Sequence, residues 1–225
     1  MIKHAIFTAG IVAGLITTSA QAQDWAGAYG GGALSYGVGT NQGFFTFFGL
    51  LSSQYDAEVT GAHVRGFAGH NWYLSDTVVT GVELSAGFGE ISGSGVGGNP
   101  GQSANMTYGT SATLAVRFAY DAGRALPFIS FGVTTTEVSS SYTIPALGPI
   151  ERDATFRTGT TVGAGVDYQI SDRSFLRIQV SHTQMDDIQY GLTAFPPPNT
   201  GVSLIPQVIT NPSYSDVTVG YAFRF

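Results

Sequence analysis

The chain has no cysteine and a single lysine, Lys3. Without cysteine there is no disulfide and no thiolate metal site. Charged residues make up 11% of the 225 positions, against about 25% in ordinary soluble domains. Long apolar runs are scarce as well. Past the N-terminal stretch, none approaches the ~20 residues a membrane helix needs. Few charges and no membrane helix leave two classes of protein. One is a glycine-rich soluble β protein. The other crosses a bilayer with strands, whose apolar and polar residues alternate and so never form a long apolar run.

The N-terminus bears on the compartment. In "MIKHAIFTAGIVAGLITTSAQAQ", Lys3 forms a short basic head, Ala5–Thr18 is apolar, and "AQA" at 20–22 is a small-x-small site. This pattern predicts a secretory signal peptide over 1–22, cut after Ala22, with the fold carried by 23–225. Loss of the leader removes the lysine and leaves 8 arginines against 15 acidic residues, a formal charge of −7. A chain this acidic offers no basic patch for nucleic acid.

What is present is alternation with period two. The chain ends "VTVGYAFRF": Val217, Val219, Tyr221, Phe223 and Phe225 share one face, and Thr218, Gly220, Ala222 and Arg224 the other. The same pattern recurs in segments expected at about 25–38, 57–74, 77–90, 105–120, 126–138, 154–170 and 174–185. Val64, Ala68, Trp72 and Leu74 oppose His63, Arg65 and Phe67, and Val78, Val82, Leu84 and Phe88 oppose Glu83. Tyr108, Ala112, Leu114, Val116, Phe118 and Tyr120 oppose Ser111, Thr113 and Arg117; Ile129, Phe131 and Val133 are assigned to the apolar side. Val162, Val166 and Ile170 oppose Asp167, and Leu176, Ile178 and Val180 oppose Arg177.

A soluble sandwich would alternate too. The segments, however, are longer than the ~5–6 residues of an average soluble strand. Tight connections at 75–77, 121–125 and 171–174 alternate with long ones at 39–56, 89–104, 139–153 and 186–213. Aromatics lie at segment ends: Trp25, Trp72, Tyr73, Tyr120 and Phe175 are assigned to the membrane interfaces. These features predict an all-β fold, a transmembrane antiparallel up-and-down barrel of about eight strands. Hydrocarbon offers no water to exposed backbone groups, so a spanning sheet must close.

On "WAGAYGG" at 25–31, "GHNWYL…TGVEL" at 69–84, "VGAGVDY" at 162–168 and the terminal "VGYAFRF", the chain resembles the small outer-membrane β-barrels of the OmpA-like and opacity-like porin superfamily of Gram-negative bacteria. The resemblance covers the barrel domain only. It implies residence in the outer membrane, contact with outer-membrane lipid, and insertion by the barrel-assembly machinery, which would read the terminal aromatics Tyr221, Phe223 and Phe225 as the assembly signal. His70 stands where the family often has tyrosine.

Inward-facing charges are expected at Arg65, Glu83, Arg117, Asp167, Arg177 and Arg224. An eight-stranded barrel has an interior filled by side chains, and an unpaired buried charge is costly, so these groups are expected to pair. No motif calls for a cofactor or a metal. Ser181 and His182 are neighbours in sequence, so on a strand they face opposite sides and cannot act as a pair. Three segments belong to the long connections: "GFFTFFGLL" at 43–51, too apolar to be freely exposed, "GSGVGGNPG" at 93–101, read as flexible, and "FPPPN" at 195–199, read as stiff and extended.

The reading is a monomer with a structural role in the envelope or a surface-interaction role through a ligand of its outer loops. A narrow channel and a lipid-active enzyme are the alternatives. Deleting Phe225, or changing it to Asp, is expected to deplete the heat-modifiable, membrane-inserted form; undiminished insertion on semi-native gels would refute the assembly role.

Overall fold

The computed structural model describes residues 25–47, 51–98, 100–144, 148–191 and 207–225. The expected signal peptide at 1–22 and "FPPPN" lie outside the described residues. The described residues form ten strand segments: β1 Gly27–Phe47, β2 Leu51–Tyr73, β3 Val78–Gly89, β4 Ile91–Gly97, β5 Ser103–Tyr120, β6 Ala125–Ile144, β7 Gly148–Ser171, β8 Ser174–Met185, β9 Ile188–Gly191 and β10 Gln207–Arg224. All pairings are antiparallel. Strands adjacent in the ring hydrogen-bond to one another, and β1 pairs with both β2 and β10, which closes the ring. β3 and β4 occupy one position between β2 and β5, while β8 and β9 each pair with β10. The ring therefore has eight positions.

Cross-strand partners in a sheet project to the same side, and here they carry an apolar outer surface almost continuously round the wall. Leu34 is opposite both Val64 and Val219, Val64 opposite Phe88, Leu84 opposite Leu114, Leu114 opposite Val133, Phe131 opposite Val162, and Ile178 opposite both Val166 and Val219. All of these side chains are exposed. Monomeric soluble proteins rarely expose an apolar patch beyond a few hundred Å². A belt that encircles the molecule matches acyl chains instead.

The strands outrun the belt. A tilted membrane strand needs about 9–11 residues, yet β2 has 23 and β7 has 24. The short turns after β2, β5 and β7 lie at one end, so the surplus projects from the other. Among the described residues, the connections read as long loops are thus largely strand. β1 continues to Phe47 and pairs Phe47 with Leu51, so most of "GFFTFFGLL" extends the β1–β2 hairpin. Residues 93–97 of the supposedly flexible "GSGVGGNPG" belong to β4, paired with β2 and β5. The last strand begins at Gln207, well before Val217.

Three irregularities interrupt the pairing. Between the pairs Tyr108–Val138 and Ser111–Thr136, Gly109 and Thr110 face the single residue Glu137. The extra residue is a β-bulge and turns everything beyond it to the other face. Tyr108, assigned by strict alternation to the lipid side with Leu114, is consequently buried inside the barrel. A second shift separates Val138 from Ser140 along β6 and β7, and a third separates Gln169 from Ser171 at the end of β7.

The interior is layered. Near the short turns, Trp25, Tyr29, Phe67, Val79, Leu126, Phe175 and Ala222 form an apolar floor. Toward the projecting hairpins, Val59, Ile91, Met106, Tyr108, Val138, Met185 and Tyr214 form a roof. Charged and hydroxyl groups occupy the space between. Aromatic rings fit because the facing wall is glycine: a Cβ on Gly69 would sit 2.4 Å from the Tyr29 hydroxyl and 2.6 Å from the Val82 carbonyl oxygen, while one on Gly66 would meet nothing within 4 Å. Gly69→Ala should therefore lower stability by about 1–3 kcal/mol and Gly66→Ala should leave it nearly unchanged. Urea unfolding of both variants in lipid vesicles checks this, and equal midpoints would contradict the packing.

Candidate functional site: the charged interior

Above the floor, β3, β5, β7 and β8 bring Glu83, Arg117, Asp167 and Arg177 together. Asp167 and Arg177 are direct cross-strand partners. Arg177 Nε donates to Asp167 Oδ1 at 2.7 Å and Nη2 to Oδ2 at 2.9 Å, a two-point fork. Arg117 Nη2 donates to the same Asp167 Oδ2 at 2.7 Å. Arg177 Nη1 reaches across to Glu83 Oε2 at 2.6 Å, closer than Arg117 Nη1 at 3.4 Å. Tyr29 completes the group: its hydroxyl donates to Glu83 Oε2 at 2.7 Å and accepts from Arg117 Nη1 at 2.6 Å.

Two guanidinium groups thus meet two carboxylates with no net charge. Arg117, Asp167 and Arg177 are each at most 2% exposed. Hydrogen-bonded, bidentate pairs are what make burial of such charges tolerable. Nearby buried rings add to this. The Arg117 guanidinium lies 3.9 Å from the Phe128 ring centre and that of Arg177 lies 4.3 Å from the Phe67 ring centre, within range of cation–π attraction.

A second polar layer follows. Arg65 Nη2 is 3.6 Å from Asp216 Oδ1 and 3.3 Å from His63 Nε2. Thr218 donates to Asp216 Oδ1 at 3.0 Å and bonds the Ser35 hydroxyl at 2.8 Å. Farther up, Thr113, Thr134, Thr161 and Thr183 join their hydroxyls across β5, β6, β7 and β8 at 2.8, 2.5 and 2.8 Å. The roof contributes a bond between the Tyr108 hydroxyl and Asn41 Oδ1, and paired rings of Tyr55 and Tyr142.

The structure gathers Glu83, Arg117, Asp167 and Arg177 into one cluster and puts Arg65 in the layer above. Arg224 belongs to neither. It sits at the mouth, where Nη2 donates to the Asp172 carbonyl and the guanidinium covers the Trp25 ring at 4.9 Å. Three of the expected interface aromatics also require correction. Trp25 and Phe175 are buried in the floor with ring centres 5.9 Å apart, the Trp25 indole N–H donating to the Gly123 carbonyl. Tyr73 turns inward and donates to Asp121 Oδ2 at 2.5 Å. Strand-end position does not distinguish a girdle from a plug; parity does, since Phe175 and Tyr73 share the inward parity of Arg177 and Phe67. Trp72 and Tyr120 do lie exposed on the outer wall near the short turns, as do Tyr221, Phe223 and Phe225. Parity would also have found Tyr29 and Asp216, which the composition does not single out.

His182 Nδ1 lies 3.0 Å from the hydroxyl of Ser215, its cross-strand partner on β10, on the outer wall. Its neighbour Ser181 faces inward and is buried. No carboxylate contacts His182 among the described residues. A strand also commits its backbone N–H groups to the ladder, which leaves no ready oxyanion donor. Among the described residues there is no group of three or more His, Cys, Asp or Glu placed to hold a metal.

A closed ring, an apolar outer belt and a charge-paired interior define a transmembrane β-barrel. The chain belongs to the outer membrane protein β-barrel domain family, whose model matches residues 8–225. It is 26% identical over 201 residues to the 25 kDa outer-membrane immunogenic protein of Brucella canis, covering 89% of this chain and 79% of that one. Its counterpart in Brucella melitensis biotype 1 is 28% identical over 168 residues, 75% and 69% of the two chains. Among solved structures, OprG of Pseudomonas aeruginosa superposes with a TM-score of 0.61 at 13% identity, covering 92% of this chain and 99% of that one. The outer membrane protease OmpT of Escherichia coli superposes with a TM-score of 0.51 at 9% identity, covering 93% and 99%. These two show a shared fold alone.

Removing Asp167 leaves Arg117 and Arg177 facing one carboxylate, so Asp167→Ala should cost about 3–5 kcal/mol. The double variant Asp167→Ala/Arg177→Ala leaves Arg117 with Glu83 and should cost less than the sum of its parts. A double-mutant cycle in lipid vesicles measures the coupling, and additive effects would contradict the pairing.

Proposed function

We propose that the protein is exported through a cleaved signal peptide to the outer membrane of a Gram-negative bacterium. There it is a monomeric barrel that strengthens the envelope and presents its hairpins at the surface, and it is neither a wide pore nor an enzyme. The observation that carries this reading is the filled interior. Floor, charge cluster and roof each span the lumen with packed rings or paired ions, and a barrel of eight positions is only wide enough for side chains.

The projecting hairpins support the surface role. Asp56, Glu58, Glu90, Glu137, Glu151, Asp153, Asp186 and Asp187 belong to that end of the chain, against Arg152 and Arg157. The interior is balanced, so the net negative charge resides mainly on these hairpins, where like charge keeps neighbouring molecules apart. The Brucella relatives are named as outer-membrane immunogenic proteins; a similarly displayed surface in this chain fits that description. The barrel-assembly machinery, outer-membrane lipid and a ligand of the hairpins are the partners this role requires.

A narrow leak is the second reading. Between floor and roof the walls are small, with Gly87, Ser85, Ser111, Ser130 and Gly163 facing inward. The buried Ser181 hydroxyl and His63 Nδ1 have no protein partner, and such groups are served by internal water. That permits water in the middle of the barrel but not a path through both plugs.

The expected result in liposome swelling with a small sugar is no swelling above lipid alone. Rates comparable to a general porin would overturn the reading.

A further inference from the structure

We propose that the foot of β7 binds the phosphate headgroup of an anionic phospholipid in the leaflet that surrounds the short turns. The inference rests on the barrel spanning a bilayer as described above.

The eight arginines beyond the signal peptide are distributed unevenly. Arg65, Arg117 and Arg177 are consumed inside the barrel, and Arg224 lies inward over Trp25. Arg152 and Arg157 belong to the projecting half of β7. The remaining two, Arg124 and Arg173, flank the point where β7 leaves the apolar belt. The Arg124 carbonyl accepts from the Gln169 N–H at 2.8 Å, which fixes the β5–β6 turn beside the end of β7. Arg173 follows two residues after Ser171, where β7 stops. Both are exposed, and between them Tyr168 and Ile170 face outward on the belt.

The Arg124 guanidinium lies 5.7 Å from the Tyr168 ring centre, so the ring holds the cation at the edge of the hydrocarbon. Its one hydrogen bond is long, 3.4 Å to the Gln169 carbonyl, and most of its five donors remain for a ligand. Asp172 is the acidic group in this arc; its carbonyl is taken by Arg224 and its side chain is exposed. Asp121 is engaged by Tyr73 and by the Gly123 N–H. A phosphate seated over an aromatic at headgroup depth, between two arginines, is the chemistry this foot fits.

The opposite rim differs. Where the belt ends below the hairpins, the outward positions are Thr40, Thr60, Glu90, Thr110, Thr135, Thr160, His182 and Ser215. Hydroxyls dominate at these positions and none of them is an arginine, whereas the foot offers two.

The test is native mass spectrometry of the full chain released from vesicles of phosphatidylcholine containing phosphatidylglycerol. The wild type should retain phosphatidylglycerol over phosphatidylcholine, and Arg124→Gln/Arg173→Gln should lose that preference at least roughly ten-fold, since each surface cation is worth about a five-fold effect. Heat-modifiability on the same samples reports insertion separately. An inserted double variant with unchanged phosphatidylglycerol retention overturns the proposal, as does a wild type with no preference. If the double variant fails to insert, the single variants decide: each should show a partial loss, and no loss in either overturns it.

Discussion

A backbone that crosses hydrocarbon cannot leave an N–H or C=O unpaired, and a sheet satisfies that demand only by having no edge. The rest of this structure depends on that closure. Once β1 pairs with β10 as well as with β2, the eight positions set a narrow diameter, and the narrow diameter decides what the inward residues must be. Glycine stands where a ring crosses, as at Gly69 beneath Tyr29. The charges that remain inside are out of bulk water and must meet partners.

The charge cluster shows how that second demand is met. Asp167 takes three hydrogen bonds from two arginines, and Glu83 is held by Arg177 and Tyr29 on the far side of the lumen. Four different strands contribute, so the cluster ties the wall across its diameter in a way the backbone ladder cannot. It also fills the middle of the cylinder with side chains, and what distinguishes this barrel outwardly lies in the hairpins and the two rims. The hairpins are acidic, one rim is rich in hydroxyls, and the other carries aromatics with arginine.

Much of this was legible in the sequence, because period-two alternation encodes the face of every residue. Leu114, Phe131 and Val219 read correctly as outward, and the Asp167–Arg177 pair follows from parity and a tight turn. What could not be read was any feature that breaks the period or lies beyond it. The bulge at Gly109 and Thr110 leaves no compositional mark, so Tyr108 was placed on the wrong face. Trp25 and Phe175 were assigned to an interface because aromatics at strand ends suit both a girdle and a plug. The closer partner of Glu83, Arg177, sits across the lumen, and contacts across a lumen depend on shear and diameter, which a linear pattern does not contain.

The central claim is that paired ions close the lumen. Hydrogen exchange of arginine Nε–H protons, followed by NMR on the protein refolded in a bilayer, tests it most directly. Arg177 donates its Nε–H to a buried carboxylate, so that proton should exchange far more slowly than the one on exposed Arg173. Comparable rates at the two arginines would mean that water reaches the cluster freely, and the account of a closed, charge-paired interior would be wrong.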